Sequence, residues 1–78
     1  MEMTEWVVIG ACLIEGLCTL TDNSAFTSKR ACEVHRAQYE SERPGNIYDC
    51  EQQGRVTSDR LRELLYRGCR ERGCNTAW

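Results

Sequence analysis

A chain of 78 residues fits a single domain, 1–78, because typical domains hold about 100–150 residues. With 41% hydrophobic and 28% charged residues it has globular rather than disordered composition. The net charge of −2 excludes a strongly basic nucleic-acid binder.

The elements follow in chain order. Glu5 to Leu13 is rich in β-branched residues and lacks a helical stripe. Trp6, Val8 and Cys12 alternate with Val7, Ile9, Ala11 and Leu13, the pattern of a strand buried on both faces. The apolar run from Trp6 to Ile14 falls well short of the roughly 20 residues that a bilayer requires, so no membrane span is expected. Ile14-Glu15-Gly16 reads as a compact turn, and Leu17 to Thr21 as the returning strand. Cys12 and Cys18 would then face each other across a hairpin. Asp22-Asn23-Ser24 breaks the pattern. A helix follows to about Glu42, with Thr27 as its cap. Its inward face is expected to present Ala31, Val34, Gln38 and part of His35 and Tyr39.

Pro44-Gly45-Asn46 ends that helix, and Ile47 to Gln53 alternates as a half-buried edge strand guarded by Asp49 and Glu51. A second helix opens at Thr57-Ser58-Asp59 and runs to Gly73, its natural stop. Leu61, Leu64, Leu65 and Gly68 give it the strongest apolar stripe in the chain. The order β-β-α-β-α predicts an α+β fold: a small antiparallel three-stranded sheet with strand 1 central and two helices on one side.

Six cysteines (Cys12, Cys18, Cys32, Cys50, Cys69 and Cys74) approach the density of a secreted disulfide scaffold. The opening Met1-Glu2-Met3-Thr4-Glu5 is acidic, and no base precedes Lys29, so no secretory signal is read. A cytoplasmic location with reduced core thiols is therefore expected. The Cys12–Cys18 hairpin pair is the easiest bridge to form. A disulfide-stapled structural or interaction protein is the alternative.

The candidate chemical sites are sparse. Cys32 and His35, three apart on one helix, would need Cys69 and Cys74 to complete a Cys3His zinc module, and the paired knuckles of structural zinc sites are missing. No metal or other cofactor is expected. His35 is the sole histidine and has no obvious partner, and no redox or phosphate-loop motif occurs, so no enzyme is expected. Arg60, Arg62, Arg67 and Arg70 make the second helix basic, with Trp6, Tyr66 and Trp78 available for stacking. The interleaved Glu63 and Glu71 argue against direct nucleic-acid binding.

Charge is unevenly laid out. Residues 1–54 carry nine acids against four bases, and residues 55–78 carry six arginines against three acids. In its size, its acidic opening without a signal, its nine arginines against one lysine and its lack of catalytic motifs, the chain resembles small phage and prophage proteins. It is similar in kind to the anti-CRISPR inhibitors of type I surveillance complexes. The resemblance implies a non-enzymatic inhibitor in the cytoplasm of the phage's host, binding the effector complex and blocking recruitment of target DNA. Such complexes expose basic channels, and an acidic surface complements them. The candidate contact residues are Glu33, Glu40, Glu42, Asp49 and Glu51, on the outer faces of the first helix and third strand.

Helix 57–72 also offers a homodimer surface. Cys69 lies at the edge of the apolar stripe beside Arg70 and Arg72, whose charge would lower its pKa. Gly68 would admit a second copy, and a bridge between the two Cys69 thiols would staple the dimer. A monomer with a half-buried Cys69 is the competing expectation.

Overall fold

Strand β1 (Trp6–Cys12) has no polar face, and the fold follows from that. The computed structural model describes residues 5–13 and 18–73. Val7, Val8, Ile9, Gly10 and Ala11 are consecutive and all buried. A strand of this kind must be central and covered on both sides. β1 pairs antiparallel with β2 (Cys18–Phe26) and β3 (Ile47–Gln52), giving the order β2-β1-β3. Two helices complete the β-β-α-β-α order: α1 (Lys29–Glu42) and, after a single 3-10 turn at Gln53–Arg55, α2 (Ser58–Arg72).

The helices lie on opposite faces of the sheet, not on one. On one face Val7, Ile9, Ala11, Leu13 and Ile47 pack with Leu64 of α2, joined by Leu61, Leu65 and Cys69. On the other face Val8, Tyr48 and Cys50 pack with Cys32 of α1, joined by Trp6, Leu20, Phe26 and Tyr39. Two-sided burial of β1 required this arrangement; a one-sided layer would leave Val8 in water.

β2 runs through Asp22-Asn23-Ser24 rather than stopping before it. Val7 faces Ala25 and Ile9 faces Thr21, so two steps along β1 match four along β2. The two extra residues form an irregular bulge, which re-aims the Asp22 side chain. Asp22 stands in that bulge.

The cap of α1 is Ser28, one residue beyond the expected Thr27. Its hydroxyl accepts from the Ala31 amide at 3.1 Å. The inner stripe of α1 is Cys32, His35, Arg36 and Tyr39, whereas Ala31, Val34 and Gln38 face outward. α2 begins at its Thr57 cap, whose hydroxyl accepts from the Arg60 amide at 3.2 Å. It ends at Gly73, whose φ of 77° lies in the left-handed region that glycine tolerates. Arg72 Nη1 donates to the carbonyls of Pro44 (2.9 Å) and Asn46 (3.3 Å), fixing the end of α2 to the α1–β3 loop. The expected turn at Ile14-Glu15-Gly16 lies outside the described residues.

Candidate functional site

The five acids expected to form one surface are divided between the two layers. Alternation along β3 turns Tyr48 and Cys50 toward α1 and Asp49 and Glu51 toward α2. There Arg60 donates through Nε to Glu51 Oε1 at 2.8 Å and through Nη2 to Asp49 Oδ2 at 2.9 Å. Arg67 adds a longer contact to Asp49, at 3.5 Å. Burial disfavours the Arg60 charge, but the two carboxylates outweigh it and raise its pKa further.

The remaining oxygens of this pair serve the sheet edge. Asp49 Oδ1 accepts from the Cys50 amide at 2.8 Å, and Glu51 Oε2 from the Gln52 amide at 2.9 Å. Gln53 N donates to Glu5 O, across to the N-terminal end of β1, so by alternation the amides of Cys50 and Gln52 point off the sheet. Each carboxylate therefore covers one open edge amide and one face of Arg60. Glu40 is paired with Arg36 at 3.0 Å, one turn away on α1. Glu33 and Glu42 are exposed on α1.

The arginines divide in the same way. With Arg60 and Arg67 turned to β3 and Arg72 to the loop, the basic face expected on α2 shrinks to Arg62 and Arg70. These line a shallow cleft of about 370 Å³ with Asp59, Glu63 and Tyr66, where the charges alternate in sign.

Disulfides replace the expected thiols. Cys12 and Cys18 are paired in the β1–β2 register, with Cα atoms 4.9 Å apart, and are bonded. Cys32 of α1 is bonded to Cys50 of β3 across 18 residues of chain, with a Cα separation of 6.1 Å. Among the described residues no cysteine is free. Cys69 is also in a disulfide within the chain. It is thus no spare thiol for a bridge between two copies, and the expected Cys69 staple is withdrawn. Cys32 and Cys69 are likewise lost to a zinc set, and among the described residues no group of three ligands could hold a metal ion. No helix among the described residues is long and apolar enough to cross a membrane.

The bulge brings together a group that the sequence hid. Asp22 Oδ2 accepts from the Tyr39 hydroxyl at 2.9 Å and lies 3.2 Å from His35 Nε2, while Oδ1 accepts from the Ser24 amide at 3.2 Å. Burial pushes the Asp22 carboxyl up, but these bonds together outweigh it and hold its pKa below the ordinary value. Phe26, His35, Tyr39 and Tyr48 form a row of rings with successive centroids 5.0, 4.9 and 5.5 Å apart. The partner that His35 lacked in the sequence is Asp22, and no spacing rule links residues 22 and 35.

With its polar aromatic side inward, α1 turns its least charged side outward. Val34 stands two positions, or about 200°, from the buried Cys32 and is 66% exposed. Arg30, Ala31, Ala37 and Gln38 surround it, with Ser41 further along the same side, all of them exposed, and Glu33 and Glu42 lie at the margins. Comparison of the chain with family models, curated proteins and solved structures gives no match.

Proposed function

We propose that this chain is a non-enzymatic, disulfide-stapled protein-binding module that presents the outer face of α1 to its partner. The observation that carries this reading is the exposure of Val34, the centre of a weakly charged stripe on a helix anchored from behind. An apolar residue on a rigid frame can be desolvated by a partner at little cost in ordering, which is how helix faces bind grooves. The disulfides favour work in an oxidising compartment, which argues for the stapled interaction protein over a cytosolic inhibitor. Inhibition of a CRISPR surveillance complex remains the narrower reading. Through this face it would depend on shape more than on charge, since Arg30 and its neighbour Glu33 offset each other and Glu42 stands apart at the far end of the helix.

The test is a pull-down from the native source with wild type, Val34→Arg and, as a control on α2, Arg62→Glu, followed by reconstitution with the purified partner. The reading expects a partner whose retention is lost in Val34→Arg and kept in Arg62→Glu. Equal retention by Val34→Arg would remove α1 as the binding face. Recovery of a guide-loaded effector complex would establish the narrower reading.

A further inference from the structure

We infer that the Cys32–Cys50 disulfide is a redox lock on α1, so that a dithiol reductant controls whether the proposed binding face is presented. The inference rests on the binding reading above and concerns the regulation of the same face. α1 buries only one residue completely, Cys32, and that residue is the one bonded to the sheet. The rest of its seat is amphipathic: His35 and Tyr39 held by Asp22, and the rings of Phe26 and Tyr48. α2 differs. It buries Leu64 and Gly68 and packs Leu61 and Leu65 on the sheet, an apolar seat that the Cys32–Cys50 bond does not supply. Loss of one bond therefore weakens the two helices very unequally.

Accessibility separates the bridges as well. Cys18 is exposed and Cys12 half-buried, so a reductant reaches their bond in the folded protein. Cys32 is 0% exposed and Cys50 7%, so their bond is met only when the residues around it open locally, with the tether still intact. In that step a thiolate of the dithiol attacks one sulfur of the bridge. The S–S bond breaks, a mixed disulfide forms, and the other cysteine leaves as a thiolate that takes up a proton. The second thiol of the reductant then attacks the reductant's own sulfur in the mixed disulfide, and the remaining protein cysteine leaves as a thiolate that takes up a proton. The reductant leaves as a disulfide, and Cys32 and Cys50 have gained two electrons and two protons in total. Reoxidation by a disulfide of the same class reverses each step and reseats the helix.

The test is a graded dithiothreitol titration, quenched with iodoacetamide and read by mass spectrometry, with amide hydrogen exchange followed in parallel. Of the Cys12–Cys18 and Cys32–Cys50 pairs, Cys12–Cys18 should be alkylated first, with α1 still protected. Molecules alkylated at Cys32 and Cys50 should exchange the 32–42 amides roughly a hundredfold faster, the scale set by releasing a loop of this length. The 61–65 amides should keep their protection. A Cys12→Ser/Cys18→Ser variant should keep α1 protected without reductant, and a Cys32→Ala/Cys50→Ala variant should lose it. Protected α1 amides in molecules reduced at Cys32 and Cys50 would overturn the lock, and so would simultaneous loss of protection in α1 and α2. Exchange needs no partner, so failure of the oxidised protein to bind through Val34 would sink the binding reading alone.

Discussion

The Tyr39 hydroxyl donates to Asp22 Oδ2 over 2.9 Å, joining the bulge of an edge strand to the inner side of α1. The bond accounts for two shifts of opposite kind. It helps to hold the Asp22 carboxyl below its ordinary pKa, and it is the largest cause of the raised pKa of Tyr39, ahead of burial. A carboxyl whose folded pKa is depressed stabilises the fold above its unfolded value, about 4, and loses that contribution as pH falls through the folded value. A phenol whose folded pKa is raised contributes fully below about pH 10 and loses the contribution as pH rises above it. Tyr39→Phe should therefore cost about 1–2 kcal/mol near neutrality and flatten both the acid and the alkaline limbs. Urea unfolding across the pH range checks this, and unchanged limbs would show that Asp22 is held by Ser24 and His35 alone.

Arg60 should be among the most sensitive charged residues. It is 19% exposed at its side chain and serves two carboxylates at once, which takes it out of the class of surface pairs worth under about 1 kcal/mol. Arg60→Ala should destabilise by about 2–3 kcal/mol, because Asp49 and Glu51 are left close together with only Arg67 near Asp49. Arg60→Lys should recover less than half of that loss, since one ammonium cannot copy a planar fork spanning two acceptors. A double-mutant cycle with Glu51→Gln should give a coupling of about 1 kcal/mol or more. A loss below about 0.5 kcal/mol in Arg60→Ala would mean that the trio is solvated and worth little.

The same contacts govern charge reversal on β3. Asp49→Lys/Glu51→Lys adds two lysines to Arg60 and Arg67, putting four cations around one site, and uncovers the edge amides of Cys50 and Gln52. Thermal unfolding should show severe destabilisation. Glu33→Lys/Glu42→Lys, on the exposed side of α1, should stay within about 0.5 kcal/mol of wild type. Equal effects of the two pairs would contradict this assignment.

What could be read in the sequence was local. The β1 run, the Leu61-Leu64-Leu65-Gly68 stripe, the Thr57 cap and the Gly73 stop are each written in a few neighbouring residues, and the element order follows from them. The expectation of both helices on one side failed although the β1 run itself argued against it, because no one-sided layer can bury both Val8 and Ile9. The orientation of α1 was not. Its apolar residues are the small Ala31, Ala37 and Val34, while its buried side uses Cys32, His35 and Tyr39, whose value depends on what they meet. Those partners, Cys50 and Asp22, lie on other elements, and Asp22 reaches α1 only through a bulge that no residue pattern announces. The acidic segment misled for a similar reason. Asp49 and Glu51 alternate like solvated residues, and only the placement of α2 gives them Arg60.

Gly68 offers a test of the packing between α2 and the sheet, because two known effects there have opposite signs. In an exposed helix Gly→Ala stabilises by about 1 kcal/mol. Here a Cβ at position 68 would lie 2.7 Å from Ile47 Cγ2 and 3.1 and 3.3 Å from the two methyls of Leu13. Ile47 and Leu13 are both buried, so neither can give way cheaply. Overpacking of this kind costs about 1–3 kcal/mol, so the clash outweighs the helical gain at most of that range. Gly68→Ala should therefore destabilise by up to about 2 kcal/mol. Removing the obstructing methyl separates the two effects. Ile47→Ala alone should cost about 2–5 kcal/mol through the cavity it leaves. In Gly68→Ala/Ile47→Ala the new methyl enters that space, so the double variant should be more stable than the sum of the single losses allows. If Gly68→Ala stabilises the protein, or if the two substitutions simply add, α2 does not sit as close to β3 as these distances state.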